Sequence, residues 1–333
     1  MPNKTFNTIP LSVLDLANVL EDGTPAQAFE NSVDLARNVE KFGFNRYWLA
    51  EHHNMPGIAS SATSVLIGHI AGATNEMRIG SGGVMLPNHA SLVIAEQFGT
   101  LETLYPGRID LGLGRAPGTD QATAYALRRT LNQRVEDFPM QVEELENYFA
   151  GTAGVRSVPG EGLDIPIWLL GSSGFSAQLS AQKGLPFSFA SHFAPDNTIA
   201  ALNLYRDNFQ PSEVLDEPYA MIGANVIAAD TDEQARYLAT SQQQQFLSIR
   251  RGQPTKLQPP IEDIDAVWSE MEKQAVQQSI NSFSTIVGSK ETVKQELERL
   301  LNETEADEII ISSQIYDHKA RVRSYEILSE LME

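Results

Sequence analysis

The 333 residues of this chain are many for one ordinary hydrophobic core but normal for a β/α barrel carrying insertions. With 24 Lys+Arg against 43 Asp+Glu, the formal net charge of −19 repels polyanions. Nucleic acid and acidic membranes are therefore unexpected partners, and any anionic ligand must be held by local positive charge. There is no cysteine, which excludes disulfides, thiolate metal sites, iron–sulfur clusters and a cysteine nucleophile. No apolar run reaches the roughly 18 residues that a membrane span needs, and residues 1–20 lack a signal-peptide pattern, so the expectation is a cytoplasmic protein.

Short apolar strands alternate with amphipathic helices. Residues 9–14 read as the first strand. The helix after it has Thr24 as N-cap, Pro25 at its first position, and Phe29, Val33, Ala36 and Val39 on one face; Gly43 suits its stop. Further strands are expected at 46–50, 77–86, 108–113, 167–170, 187–190, 219–228 and 307–312. Helices are expected at 61–74, 92–104, near Asp120, at 134–149, from Gly174, at 195–208 and at 289–302, with a last one closing the chain. From 231 to 282 the rhythm loosens into a helix holding Gln242–Gln245, then Pro254, Pro259 and Pro260, then another helix. Eight strands alternating with helices indicate an all-parallel sheet, and eight is the number that closes into a (β/α)8 barrel. An open doubly wound sheet is the competing arrangement. One domain, 1–333, with an insertion at about 231–282, is expected.

Unusual residues gather at the C-terminal ends of strands two to six, where β/α-barrel enzymes keep their active sites. Strand alternation sets His52 on the side of Trp48 and Ala50, and Glu51 with His53 on the other. That weakens a metal reading and leaves His52 as a candidate proton donor or acceptor. Gly82-Gly83 interrupts a good strand, which marks either a bulge or a flat ligand lying on bare backbone. The segment from Gly112 to Gly118 does not fit a dinucleotide fingerprint, because Pro117 interrupts it. Arg115 within it is a five-donor cation suited to a phosphate, or else a surface salt-bridge partner. Gly171-Ser172-Ser173-Gly174 joins a strand to a helix start, which receives an anion well, although ordinary N-capping by either serine is equally open. His192, beside Phe193, either contacts substrate or closes the barrel top.

Three stretches carry a resemblance. They are Gly43-Phe44 through Tyr47-Trp48-Leu49-Ala50-Glu51-His52-His53, Ile79-Gly80-Ser81-Gly82-Gly83-Val84-Met85-Leu86-Pro87, and Pro106-Gly107-Arg108-Ile109-Asp110-Leu111-Gly112-Leu113-Gly114-Arg115, with support from Asp307 to Tyr325. Through them the chain resembles the bacterial luciferase-like flavin monooxygenases over nearly its whole length. The resemblance implies a TIM barrel that binds FMN at the strand C-terminal face. His52 would be the active-site histidine, and Gly82-Gly83 a cis pair under the isoalloxazine ring. Ala50, Arg115, Pro117, Gly171, Ser172, Ser173 and Gly174 would complete the cofactor site, His192 would face substrate, and 231–282 would correspond to a mobile lid. It further implies reduced FMN supplied by a separate NAD(P)H-dependent flavin reductase, oxygenation of a small organic substrate with O2, and a homodimer. Gly114 stands where luciferases carry a reactive cysteine, and Ser191-His192-Phe193 differs from the luciferase segment, which sets light emission and a long-chain aldehyde aside. F420-dependent hydride transfer on the same fold, a flavin-binding barrel without turnover, and a sugar-phosphate barrel enzyme are the alternatives.

Overall fold

Short buried strands alternating with helices leave little choice of architecture: a parallel neighbour needs a crossover, and the crossover helix covers the sheet. The computed structural model describes residues 8–116, 120–128, 137–264, 266–280 and 282–332. In order, the strands and helices are β1 (Leu11–Asp15), α1 (Pro25–Lys41), β2 (Arg46–Leu49), α2 (Thr63–Ala71), β3 (Arg78–Ser81), β4 (Val84–Met85), α3 (Ser91–Leu104), β5 (Ile109–Gly114), α4 (Gln121–Arg128), α5 (Phe138–Ala150), β6 (Ile167–Gly171), α6 (Gly174–Lys183), β7 (Phe187–Phe189), α7 (Thr198–Asp207), β8 (Ala220–Ala228), α8 (Asp232–Arg250), α9 (Glu270–Ile280), β9 (Thr285–Gly288), α10 (Lys290–Thr304), β10 (Glu308–Ser312) and α11 (His318–Ser329).

Every strand pairing is parallel. The sheet closes because β10 pairs with β1 on one side, Ile309 opposite Leu11, and with β8 on the other, Ile309 opposite Ile222. The result is a (β/α)8 TIM barrel. Two details differ from the sequence expectation. The third barrel strand is split into β3 and β4 by Gly82-Gly83, whose peptide bond is cis. In addition, β9 was not foreseen. It lies outside the eight and pairs with Asn225–Ala228, the upper half of the nine-residue β8, whose lower half closes the barrel. A four-residue strand squeezed between an insertion and a helix is too short for its period to show.

Alternation divides the strand side chains between two cores. Tyr47 and Leu49 face the helical layer with Leu35, Ile67, Phe98 and Leu145, whereas Trp48 faces the barrel interior with Trp168, Met221 and Ile310. Thr24 caps α1 through its hydroxyl, as expected. At the N-terminal end the interior is filled by charge. Arg46 reaches Asp110 at 2.7 Å and Glu308 at 2.9 Å, and Arg78 reaches Asp110 at 2.6 Å. Trp48 Nε1 donates to Asp110 at 3.1 Å, and the hydroxyls of Tyr219 and Ser12 donate to Glu308. Asp110 and Glu308 are fully buried. Burial opposes the charge on Arg46, but the two carboxylates outweigh it and raise its pKa. This end is a plug with its polar valences filled.

Candidate active site

The C-terminal mouth instead opens into a cleft of about 390 Å³. Gly82 and Gly83 lie in its floor. A Cβ on Gly82 would stand 2.7 Å from Leu14, and one on Gly83 2.8 Å from the Gly112 carbonyl, so only bare backbone fits there. Ala50 and His52, at the end of β2, line the wall beside Gly82. Strand alternation thus directs His52 as expected. Its neighbour Glu51 turns the opposite way and is 1 % exposed.

Glu51 is held from three directions. His53 Nε2 donates at 2.8 Å, His89 Nε2 at 2.9 Å, and the backbone N–H of Met85 at 2.9 Å. An ionised carboxylate only accepts, so both rings carry their proton on Nε2. Burial alone would push the Glu51 carboxyl up, but the hydrogen bonds from His53 and His89, with Met85, outweigh it and hold the pKa down at about 2. This carboxylate ties the histidine-bearing strand end to the segment just beyond Gly82-Gly83. The sequence did not single out His89, because its link to Glu51 spans 38 positions and exists only in the folded chain.

At the other end of the cleft stand Arg115, immediately after β5, and Gly171, Ser172 and Ser173, which run from β6 into α6. Arg115 places its guanidinium 4.1 Å above the ring of Phe175, in the first turn of α6. Among the described residues no carboxylate pairs with it. Ser173 is the N-cap of α6, yet its side chain makes no capping bond, and both serines are exposed. The two alternatives, a surface salt bridge and ordinary capping, are thus not realised among the described residues. What remains is a cation, two hydroxyls and an open helix start facing the same space. Gly174, the first residue of α6, is not among the residues lining the cleft, and a Cβ there would stand 3.1 Å from Leu204. Pro117 lies outside the described residues.

His192 and Phe193 line the opposite wall. The His192 ring presses on Gly223, where any side chain would collide with it. Burial, helped by the nearby His52, pushes the His192 imidazole down to about 4, so it is neutral near pH 7. The segment 231–282 contributes Gln242, Gln243, Gln245, Phe246 and Ile249 from α8 and Ser279 from α9, none of which the sequence assigned to the site.

The mouth of the barrel thus brings together a bare-backbone floor, one histidine beside it, and a cation with an uncapped helix start at the far end, an arrangement placed where β/α-barrel enzymes keep their active sites. The family model for luciferase-like monooxygenase matches residues 9–308, and the chain belongs to that family. It is 60% identical over 335 residues to the Bacillus subtilis protein YvbT, covering 99% of each chain. To a luciferase-like monooxygenase of Escherichia coli it is 55% identical over 332 residues, covering 99% of this chain and 98% of the other. To the N-acetyl-S-alkylcysteine monooxygenase of Bacillus subtilis it is 32% identical over 331 residues (97% and 98%). Among solved structures, apo-MsnO8 superposes with a TM-score of 0.86 at 33% identity, covering 97% of this chain and 98% of that one. Two more distant structures share the fold. The oxygenating constituent of 3,6-diketocamphane monooxygenase from Pseudomonas putida, in complex with FMN, has a TM-score of 0.72 at 15% identity (97% and 97%). An F420-dependent secondary alcohol dehydrogenase has a TM-score of 0.64 at 12% identity (98% and 99%). The chain is an enzyme, and among its described residues no helix is long and apolar enough to cross a membrane.

Proposed function

We propose that this enzyme binds FMN in the mouth cleft and oxygenates a small organic substrate with O2, the reduced flavin coming from a separate NAD(P)H-dependent reductase. The observation that carries this reading is the Arg115–Phe175 stack beside the uncapped start of α6, in the same cleft as the Gly82-Gly83 floor and His52. The fit is physical. A phosphate dianion would take the guanidinium, the serine hydroxyls and the helix-start N–H groups, in a chain whose overall charge repels it. A planar ring would lie where no Cβ is tolerated. Ala50 would border that ring, and Gly171 would let the backbone approach the tail.

When bound, reduced FMN supplies the electrons that let O2 deliver one oxygen atom to substrate. The protein's own residues bind, orient and manage protons. His52, beside the floor, would hold a proton at the junction of ring and substrate, and neutral His192 would face the substrate from the opposite wall. A separate reductase agrees with the Pseudomonas relative being described as an oxygenating constituent.

An absorbance and fluorescence titration with FMN and with F420, each in oxidised and reduced form, tests the reading. Saturable binding of FMN in preference to F420 is expected. F420 binding alone would turn the assignment to hydride transfer, and binding of neither would end it.

A further inference from the structure

Five side-chain amides line the cleft: Asn225 of β8, Gln242, Gln243 and Gln245 of α8, and Gln314 just beyond β10. Going round the barrel, β10 stands four strands from β5 in either direction, so Gln314 lies diametrically across the mouth from Arg115. Among the described residues none of the five amides makes a side-chain hydrogen bond. Gln245 is 8% exposed and leaves its Oε1 buried without a partner. The neighbouring Gln244, which does not line the cleft, donates to the Pro259 carbonyl at 2.7 Å. Within this run of α8, then, the amides that line the cleft are uncommitted and the one that does not is bonded; elsewhere Gln141 of α5 also leaves its Oε1 buried without a partner.

Their spacing is that of one helix face. Gln242, Gln245, Phe246 and Ile249 stand at i, i+3, i+4 and i+7, so α8 presents amides and apolar groups together. Buried amides are normally satisfied, so Asn225 and Gln245, buried in one cavity without a side-chain partner and joined there by three half-buried amides, fit a ligand that would satisfy them. Each amide offers an acceptor and two donors. A ketone or aldehyde would use only the donors. An ammonium would find no carboxylate, since none lines the cleft. A carboxylate would find no cation beyond Arg115 on the far side. A carboxamide both donates and accepts, and Phe193, Phe246 and Ile249 give its carbon substituents apolar cover.

We propose that the half of the cleft opposite Arg115 takes an uncharged substrate that carries a carboxamide, either an acylated amine or a primary amide, on an apolar body. The assignment of this half to substrate rests on the flavin reading of the other half. The amide recognition itself is a property of the protein alone.

The test is ligand-observed saturation-transfer NMR on the full chain, with and without FMN, using probes of matched size. These are N-butylacetamide, its isostere 2-heptanone, heptanal, heptanoate, heptylamine and heptane-1,2-diol. N-butylacetamide should bind at least tenfold more tightly than each of the others. Gln245→Leu, and independently the less buried Gln242→Leu, should erase that preference while leaving the FMN dissociation constant within twofold. Equal binding of the ketone, aldehyde or diol, tighter binding of either ion, or an undiminished preference in both variants would overturn the proposal. If FMN fails to bind, the flavin reading falls, and the amide preference of the flavin-free protein still decides this one.

Discussion

At the N-terminal end of the barrel interior, Arg46, Arg78, Asp110 and Glu308 satisfy one another. At the C-terminal mouth of the same barrel, Arg115 has no carboxylate among the described residues, and five amides have no partner. Both ends hold polar groups in a largely apolar cylinder, so polarity alone does not distinguish them. The difference is whether the protein itself completes the hydrogen bonding. The groups of the N-terminal plug are completed by the protein itself, whereas those of the mouth are the ones that the proposed ligands would meet.

Substitutions should separate the two ends. Arg46→Ala leaves two fully buried carboxylates short of a partner and should cost about 3–5 kcal/mol in urea unfolding. A loss under about 1 kcal/mol would mean that the plug is not structural. His52→Ala should leave unfolding within about 0.5 kcal/mol of wild type but lower turnover by roughly 10²–10⁴-fold. Undiminished turnover would remove the proton role given to His52. Arg115→Ala should weaken FMN binding by about 10- to 150-fold, corresponding to the loss of charge-assisted bonds worth about 1.5–3 kcal/mol, with unfolding unaltered. An unchanged dissociation constant would disqualify the anion receptor.

The smallest effect concerns Glu51, just beyond the C-terminal end of β2. Its folded pKa of about 2 lies below the ordinary value of 4.5. The stability this gives is therefore complete above about pH 4.5 and is lost as pH falls toward 2. Between pH 6 and pH 3.5 wild type should lose about 1.4 kcal/mol more than Glu51→Gln, which cannot titrate. Parallel pH curves for the two proteins would show that Glu51 is not held down as described.

Much of this was legible in the sequence. Eight strand–helix units announced the barrel, and two-residue alternation sent His52 inward and Glu51 outward. The candidate segments at the strand ends converged because a closed parallel barrel brings all its C-terminal ends to one mouth. Three features were hidden for physical reasons. His89 meets Glu51 only through the turn after β4. β9 is too short to declare a period. The stripe from Gln242 to Ile249 mixes amides with apolar groups, so it matches neither a solvated helix face nor a core face.

The anchoring of Met85 has one more consequence. Its N–H is fastened to the carboxylate that also steadies the strand carrying His52, so the imidazole and the glycine bed form a single unit. Their relative height is then decided when the chain folds, and a molecule arriving in the mouth would find that spacing already fixed.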